Sequence, residues 1–258
     1  MVYLYSGTPG SYKSYHAVFE ALRWLRGGFN VIANFPLNYK NVIHKPIKGV
    51  FSYVPSTELS INYLLQFASE HHYKGVNAQT LIIFDEAAIK FNSRDFGARD
   101  RLDWINFFNN HRHFNFDIIL IAQSDIMIDK QIRSSIETEY KFRQITHYKF
   151  LGRIFGFFFP GLHMYYDYWY VNHLPNTFHL CGFSKRVASC YDTMALFIGS
   201  KSMDKMKSLN EYKKSKEVNQ IANVSDKQTK IQINKNLFKF CSLLNDFVQR
   251  RSDRGSAG

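Results

Sequence analysis

The stretch that most limits what this chain can fold into is a junction near its start. A short apolar run, VYLY (residues 2–5), leads into GTPGSYKS (residues 7–14), and KSYHAVFEALRWL (residues 13–25) continues with apolar positions at Ala17, Val18, Ala21, Leu22 and Leu25. That order predicts strand, loop and amphipathic helix. The loop nearly spells the phosphate-binding pattern G-x-x-x-x-G-K-[ST]: Gly7, Lys13 and Ser14 fit, while Tyr12 stands where a glycine is expected. Such a loop works by aiming backbone N–H groups and a helix N-terminus at phosphate oxygens, so most of its side chains are secondary. Tyr12 needs only a torsion that a non-glycine tolerates, and Gly10 supplies freedom for the tightest bend. Gly7, Thr8, Pro9, Gly10, Ser11, Tyr12, Lys13 and Ser14 are therefore the candidate nucleotide-binding residues. The plainer alternative is a Gly-Pro turn between any strand and any helix.

TLIIFDEAA (residues 80–88) is an apolar run ending in two carboxylates, and DIILIAQSD (residues 117–125) repeats the pattern with Gln123 at its exit. Runs of this kind read as strands buried on both faces of a parallel sheet, with ligands collecting at their carboxyl ends. With helices expected over 57–72 and 98–114, the alternation predicts an α/β fold with a doubly wound, mainly parallel sheet. Hydrolysis of a nucleoside triphosphate needs a cation at the β and γ phosphates, a hydroxyl and a carboxylate for Mg²⁺, and a group that positions water. Lys13 supplies the first, Ser14 and Asp85 the metal ligands, and Glu86 a general base. Gln123 is placed to hold the attacking water, or is a satisfied amide at a strand end. Arg112 sits between His111 and His113 at a helix end, where cations favourably face the macrodipole. The sharper reading makes Arg112 an arginine finger acting in trans within a ring. The two histidines do not share a helix face and suggest no metal site.

Residues 30–35 read as another strand and 40–54 as irregular. Beyond about residue 135 the aromatic, alternating segments 140–150 and 163–172 predict an added hairpin or small sheet, giving a β-rich appendage over 135–185 within a domain of residues 1–200. Residues 201–236, rich in Lys, Ser, Asn and Gln, read as a polar basic linker. Residues 237–258 read as an amphipathic helix and a disordered tail. Lysine and arginine number 33 against 21 acidic residues, a net charge of +12 that suits an anionic partner such as nucleic acid or an anionic membrane surface. Cys181, Cys190 and Cys241 form no C-x-x-C pair, which argues against a disulfide framework and a zinc site and for a reducing compartment. No signal peptide and no membrane-spanning stretch is expected; the nearest apolar window, 150–161, is interrupted by Arg153 and ended by Pro160.

Taken together, GTPGSYKS, LIIFDEA, HRHFNFDIILIAQ (residues 111–123) and YDTMA (residues 191–195) resemble the zonula occludens toxin-like (Zot-like) family, the assembly ATPases of filamentous phages. The resemblance spans roughly residues 1–200 and makes Tyr12 a family feature. It implies a P-loop ATPase using ATP and Mg²⁺ in the host cytoplasm, peripheral at the inner membrane, that drives assembly and extrusion of single-stranded-DNA virions. Implied partners are further copies of the chain, phage coat or other assembly proteins, and single-stranded DNA. Family members usually continue into a transmembrane helix, and residues after 200 show no spanning stretch, so membrane attachment is expected to be indirect, supplied by another chain, or lost through truncation. The rival expectations are a nucleotide-binding assembly scaffold that hydrolyses weakly, and a duplex DNA translocase.

Overall fold

A computed structural model describes residues 1–95, 97, 99–144, 161–172 and 174–191. The expected linker, the C-terminal helix and the apolar window at 150–161 lie outside the described residues. Eight strands form one sheet in the order β3-β2-β4-β5-β1-β6-β7-β8. They are β1 (Val2–Ser6), β2 (Asn30–Ala33), β3 (Phe51–Tyr53), β4 (Thr80–Phe84), β5 (Phe116–Ile121), β6 (Thr138–Gln144), β7 (His163–Trp169) and β8 (Leu174–Cys181). Strands β1 to β6 are mutually parallel, whereas β7 runs antiparallel to β6 and β8 antiparallel to β7. The aromatic hairpin thus extends the parallel sheet at its β6 edge.

Alternation along the strands explains how the sheet is covered. Val2, Leu4, Ile32, Ile82, Phe84, Phe116, Ile118 and Leu120 belong to one buried cluster with Leu64 and Phe67 of α2 (Ile61–His71) and Trp104, Phe107 and Phe108 of α4 (Arg101–Asn110). The intervening residues, among them Val31, Leu81, Ile83 and Ile119, are also buried. They point to the other face, where α1 (Lys13–Arg26) packs against β2, β4 and β5 through Ala17, Val18, Ala21, Leu22 and Leu25. Helices on both faces make β2, β4 and β5 buried throughout, which is why their sequences read as unbroken apolar runs.

Shorter helices α3 (Ala87–Lys90), α5 (Lys130–Arg133) and α6 (Lys185–Ala188) complete the described elements. Ser60 caps α2, its Oγ accepting from the Tyr63 N–H, so that helix begins later than the expected residue 57. Helix α4 ends at Asn110, and residues 111–115 form turns closed by Asn115 at φ +60°. All five central parallel strands deliver their carboxyl ends to one edge, and the loops there carry the site.

Candidate nucleotide-binding site

The loop leaves β1 at Gly7, whose φ is +139° and where an added Cβ would lie 2.5 Å from the Phe142 carbonyl oxygen of β6. Only glycine fits there. Gly10 also has positive φ, as expected, but Tyr12 does too, at φ 71° and ψ 18°. The aromatic residue therefore takes the left-handed conformation that makes glycine the usual occupant, at a cost of about 1–2 kcal/mol. Its ring recovers much of this. It stacks on His163 of β7 at 4.6 Å between centroids and 18° between planes, and meets Tyr15 and Phe183 edge-on. Each such pair contributes about 0.5–1.5 kcal/mol.

Tyr12 is the N-cap of α1 but provides no side-chain cap, and the first turn contains no acidic residue. The first-turn N–H groups and the helix dipole therefore face the loop without a protein carboxylate to satisfy them. Ser11 is buried, and its Oγ finds no hydrogen-bond partner among the described residues. Lys13 Nζ donates to the Gly7 and Thr8 carbonyl oxygens at 2.8 and 2.9 Å, folding the ammonium across the loop. Burial lowers the Lys13 pKa, while the charges of Glu86 and Asp85 push it back up. The cation and the two carboxylates therefore share one electrostatic neighbourhood.

Asp85 follows β4 and is 4 % exposed. Asn34, just past β2, clamps its backbone: Oδ1 accepts from the Asp85 N–H at 2.7 Å and Nδ2 donates to the Asp85 carbonyl at 2.8 Å. One carboxylate oxygen of Asp85 accepts from the Glu86 N–H at 3.0 Å and the other from the Tyr191 hydroxyl at 2.7 Å. The Ser14 side chain also interacts with the Tyr191 hydroxyl, and burial followed by the Asp85 charge holds the phenol protonated far above the usual range. A serine hydroxyl and a buried carboxylate thus converge on a single oxygen. Two hard-oxygen donors meeting at one point suit Mg²⁺, which takes one or two protein ligands and keeps several waters. Ser14 and Asp85 are the residues that would hold it.

Glu86 is exposed at φ 51° and ψ 48°, projecting from the turn between β4 and α3. Because β5 lies between β1 and β4, Gln123 emerges between the loop and the two acids. Its carbonyl accepts from the Gly7 N–H at 3.3 Å. Gly7, Thr8, Gln123, Glu139, Lys141 and Arg143 line a cleft of about 490 Å³ beside the loop. Arg112 is elsewhere. It lies before β5, at the opposite edge of the sheet, where its side chain pairs with Glu137. Within its own chain it does not join the loop, because the length of β5 separates them. The helix-end reading of Arg112 matches that position, and a catalytic role would require another copy of the chain. Sequence reasoning missed Asn34 and gave Tyr191 no role. Asn34 has a local signal, a polar residue ending the apolar run NVIA, whereas Tyr191 reaches the site only through the fold.

The sequence model of the family described as Zonular occludens toxin (Zot) matches residues 1–154, more than half of the chain. The chain belongs to the Zot family. That match covers the loop, Asp85, Glu86 and Gln123. The chain is also similar to the Gene 1 protein of Escherichia phage If1, 30 % identical over 141 residues, and to that of Enterobacteria phage fd, 28 % identical over 140 residues. Each match covers 52 % of this chain and 39 % of the relative. This Zot-family chain therefore aligns with well under half the length of the curated relatives it matches. Among solved structures, it resembles the N-terminal domain of zonular occludens toxin from Neisseria meningitidis, at 16 % identity and a TM-score of 0.44, over 74 % of this chain and 98 % of that one. It also resembles B204, the DNA-packaging ATPase of Sulfolobus turreted icosahedral virus, at 16 % identity and a TM-score of 0.48, over 71 % of this chain and 98 % of that one. Parallel strands around a phosphate-type loop, with the acids one strand removed, give this Zot domain the P-loop NTPase fold.

Proposed function

We propose that the chain is an ATP-hydrolysing motor of filamentous-phage assembly, coupling turnover to export of single-stranded-DNA virions at the host inner membrane. The observation that carries this reading is the convergence of the Ser14 hydroxyl and the Asp85 carboxylate on one point beside Lys13. Membership of the Zot family and the likeness to phage Gene 1 proteins support the assembly role.

When the nucleotide enters, Lys13 exchanges the Gly7 and Thr8 carbonyls for β and γ phosphate oxygens, and the loop amides take the rest. Ser14 and Asp85 would hold the magnesium ion in place of their contacts with Tyr191, and that ion would supply charge neutralisation across the phosphates. Glu86 accepts the proton of the attacking water as the bond from the γ phosphorus to the bridging oxygen breaks and ADP departs. Gln123, tied to the loop through Gly7, orients that water. Among the described residues no helix is long and apolar enough to cross a membrane, so attachment through a partner is part of this proposal. Further copies of the chain, coat or assembly proteins, and single-stranded DNA are the proposed partners, on the cytoplasmic face.

The test is ATP turnover by wild type, Lys13→Ala and Glu86→Gln, with and without single-stranded DNA. Stimulation by single strands supports the motor, stimulation by duplex alone favours a translocase of duplex DNA, and nucleotide binding without turnover favours a scaffold. Failure of the folded chain to bind any nucleoside triphosphate with Mg²⁺ sinks the reading. The hold of Tyr191 on both metal ligands is the observation that favours the scaffold alternative, since the phenol competes with the metal. Tyr191→Phe is therefore expected to lower the Mg²⁺ concentration for half-maximal turnover by a few-fold, about the worth of one hydrogen bond to a charged group. An unchanged Mg²⁺ requirement removes the phenol from the mechanism.

A further inference from the structure

Beneath the phosphate loop lies a second polar cluster that the nucleotide chemistry does not use. The donor atoms of His16, His163 and Cys181 all lie within 4.8 Å of one another. His163 and Cys181 are directly opposite in the β7–β8 register, so both side chains project from the same face, and His16 descends onto that face from α1. His163 is fully buried, with 0 % exposure, and its Nε2 finds no hydrogen-bond partner among the described residues.

The tautomer of that ring follows from its other nitrogen. His163 Nδ1 lies 3.1 Å from the Gly161 carbonyl oxygen, which can only accept, so Nδ1 carries the hydrogen and Nε2 is left with a bare lone pair. An orphaned buried acceptor is costly, because it has given up its water without a replacement. A histidine whose second nitrogen donates to a backbone carbonyl is also the arrangement of metal-ligating imidazoles. Burial, followed by the charges of His163 and His179, depresses the His16 pKa to about 3, which keeps this ring in its neutral, ligating form as well. The rings of Tyr5, Phe142 and Tyr165 surround His16, and the cluster contains no carboxylate.

We propose that His16, His163 and Cys181 bind a zinc ion that fastens the β7–β8 hairpin to the phosphate-loop helix. Two imidazoles and a thiolate suit zinc and not Mg²⁺ or Ca²⁺, and water completes the tetrahedron. Zinc lies about 2.0–2.3 Å from such donors, so binding draws the three inward by roughly an ångström. Cys181 is partly exposed and marks the entry path. The spacing argument against zinc considered the cysteines only against one another. The ligands instead come from α1, β7 and β8, brought together by folding. Because the His163 ring supports the left-handed Tyr12, the metal fixes the loop's shape independently of whether the loop binds nucleotide.

The full chain, prepared without a histidine tag and stripped with chelator, is titrated with Co²⁺ as a spectroscopic probe. The expected result is one Co²⁺ per chain, with tetrahedral visible absorption and a thiolate-to-cobalt charge-transfer band, both erased when Zn²⁺ displaces the probe. Cys181→Ser should abolish the charge-transfer band while Cys190→Ser keeps it, and His163→Gln should weaken binding at least about tenfold. A second measurement needs no variant: Zn²⁺ should slow alkylation of Cys181, mapped by mass spectrometry, by about tenfold or more. Cobalt bound without a thiolate band, a band that survives Cys181→Ser, or a Cys181 thiol that Zn²⁺ leaves unprotected overturns the site.

Discussion

The two edges of the parallel sheet handle charge in opposite ways. At the amino-terminal edge, opposite charges meet: the Met1 ammonium lies 2.5 Å from Asp117, and Arg112 pairs with Glu137. Neighbouring polar groups there are closed on each other, as when Gln79 binds the backbone of Tyr73 and Val76, and His72 bridges Phe114 and Thr80. Among the described residues His111 Nε2 lacks a hydrogen bond there, although it is 3.9 Å from Glu137. Around the loop at the carboxyl-terminal edge, Lys13 is held by two carbonyls and Asp85 by a phenol and a backbone amide, although farther along that edge Asp125 pairs with Arg133 at 3.7 Å. Backbone strain does not separate the edges, for Ala78 and Asn115 have positive φ at one and Tyr12 and Glu86 at the other. What separates them is that Lys13 and Asp85 at the loop are each held by neutral groups and not by each other, an arrangement that suits the proposed anionic ligand and metal.

The largest effect that would break this comparison belongs to Lys13. Lys13→Ala should reduce ATP turnover by about 10³-fold or more, because in the proposed mechanism the cation acts where transition-state charge develops. Thermal stability should barely move, since two carbonyls at the loop mouth return to water. A variant that loses stability instead, at equal turnover, makes Lys13 a structural fastener. Glu86→Gln should lower turnover by about 10²–10⁴-fold with nucleotide binding retained, checked by single-turnover kinetics.

Next comes acid sensitivity. The His16 ring, 8 % exposed, titrates near pH 3 when folded and near 6.5 when unfolded. Between those values the unfolded chain binds a proton that the folded chain does not, so stability falls as pH drops, by up to about 1.4 kcal/mol per pH unit. Burial lowers the pKa values of His163 and His179 as well, adding to the same slope. Denaturant titrations in chelator at pH 7 and pH 5 should show His16→Phe with a flatter acid limb than wild type. Equal slopes would place the acid sensitivity in other groups.

Much of this was legible in the sequence because single strands carry both of its signals. LIIFDEA announces a buried strand and its acids, and DIILIAQ a second strand with Gln123, since burial on both faces needs no partner to be recognised. The short β3, within a segment read as irregular, and β8, with Pro175 and Asn176 in LPNTFHLC, lack that pattern and form through pairing. Helix α4 was expected to run through Phe114, but it ends at Asn110 with His111 as its C-cap: the His111 Nδ1 hydrogen-bonds the Phe108 carbonyl, and the following turns close at Asn115 with φ +60°. Tyr191, His163 and Cys181 were beyond reach for a different reason. Their roles depend on residues scores of positions away, and no local periodicity encodes a register such as His163 opposite Cys181.

A smaller effect concerns Tyr12, where strain and stacking nearly balance. Tyr12→Ala keeps the left-handed torsion and loses the stack on His163, so it should destabilise the chain by about 1–2 kcal/mol in a denaturant titration. Tyr12→Gly loses the same stack and also the strain, and should stay within about 1 kcal/mol of wild type. Glycine more stable than alanine at this position is the signature of a left-handed constraint. The reverse order would mean that the torsion is relieved in solution.

The smallest effect tests the opposite edge. The Arg112 side chain is 65 % exposed, so its pair with Glu137 is screened by water and is worth under about 1 kcal/mol. Arg112→Ala should therefore leave stability almost unchanged, and in dilute chain it should leave turnover unchanged too, because the sheet stands between the guanidinium and the loop. The informative variable is concentration. If copies assemble so that Arg112 of one reaches the loop of the next, wild-type turnover per chain rises with protein concentration while the variant stays flat. A variant that follows the wild-type curve confines Arg112 to holding Glu137 and leaves chemistry to one edge of the sheet.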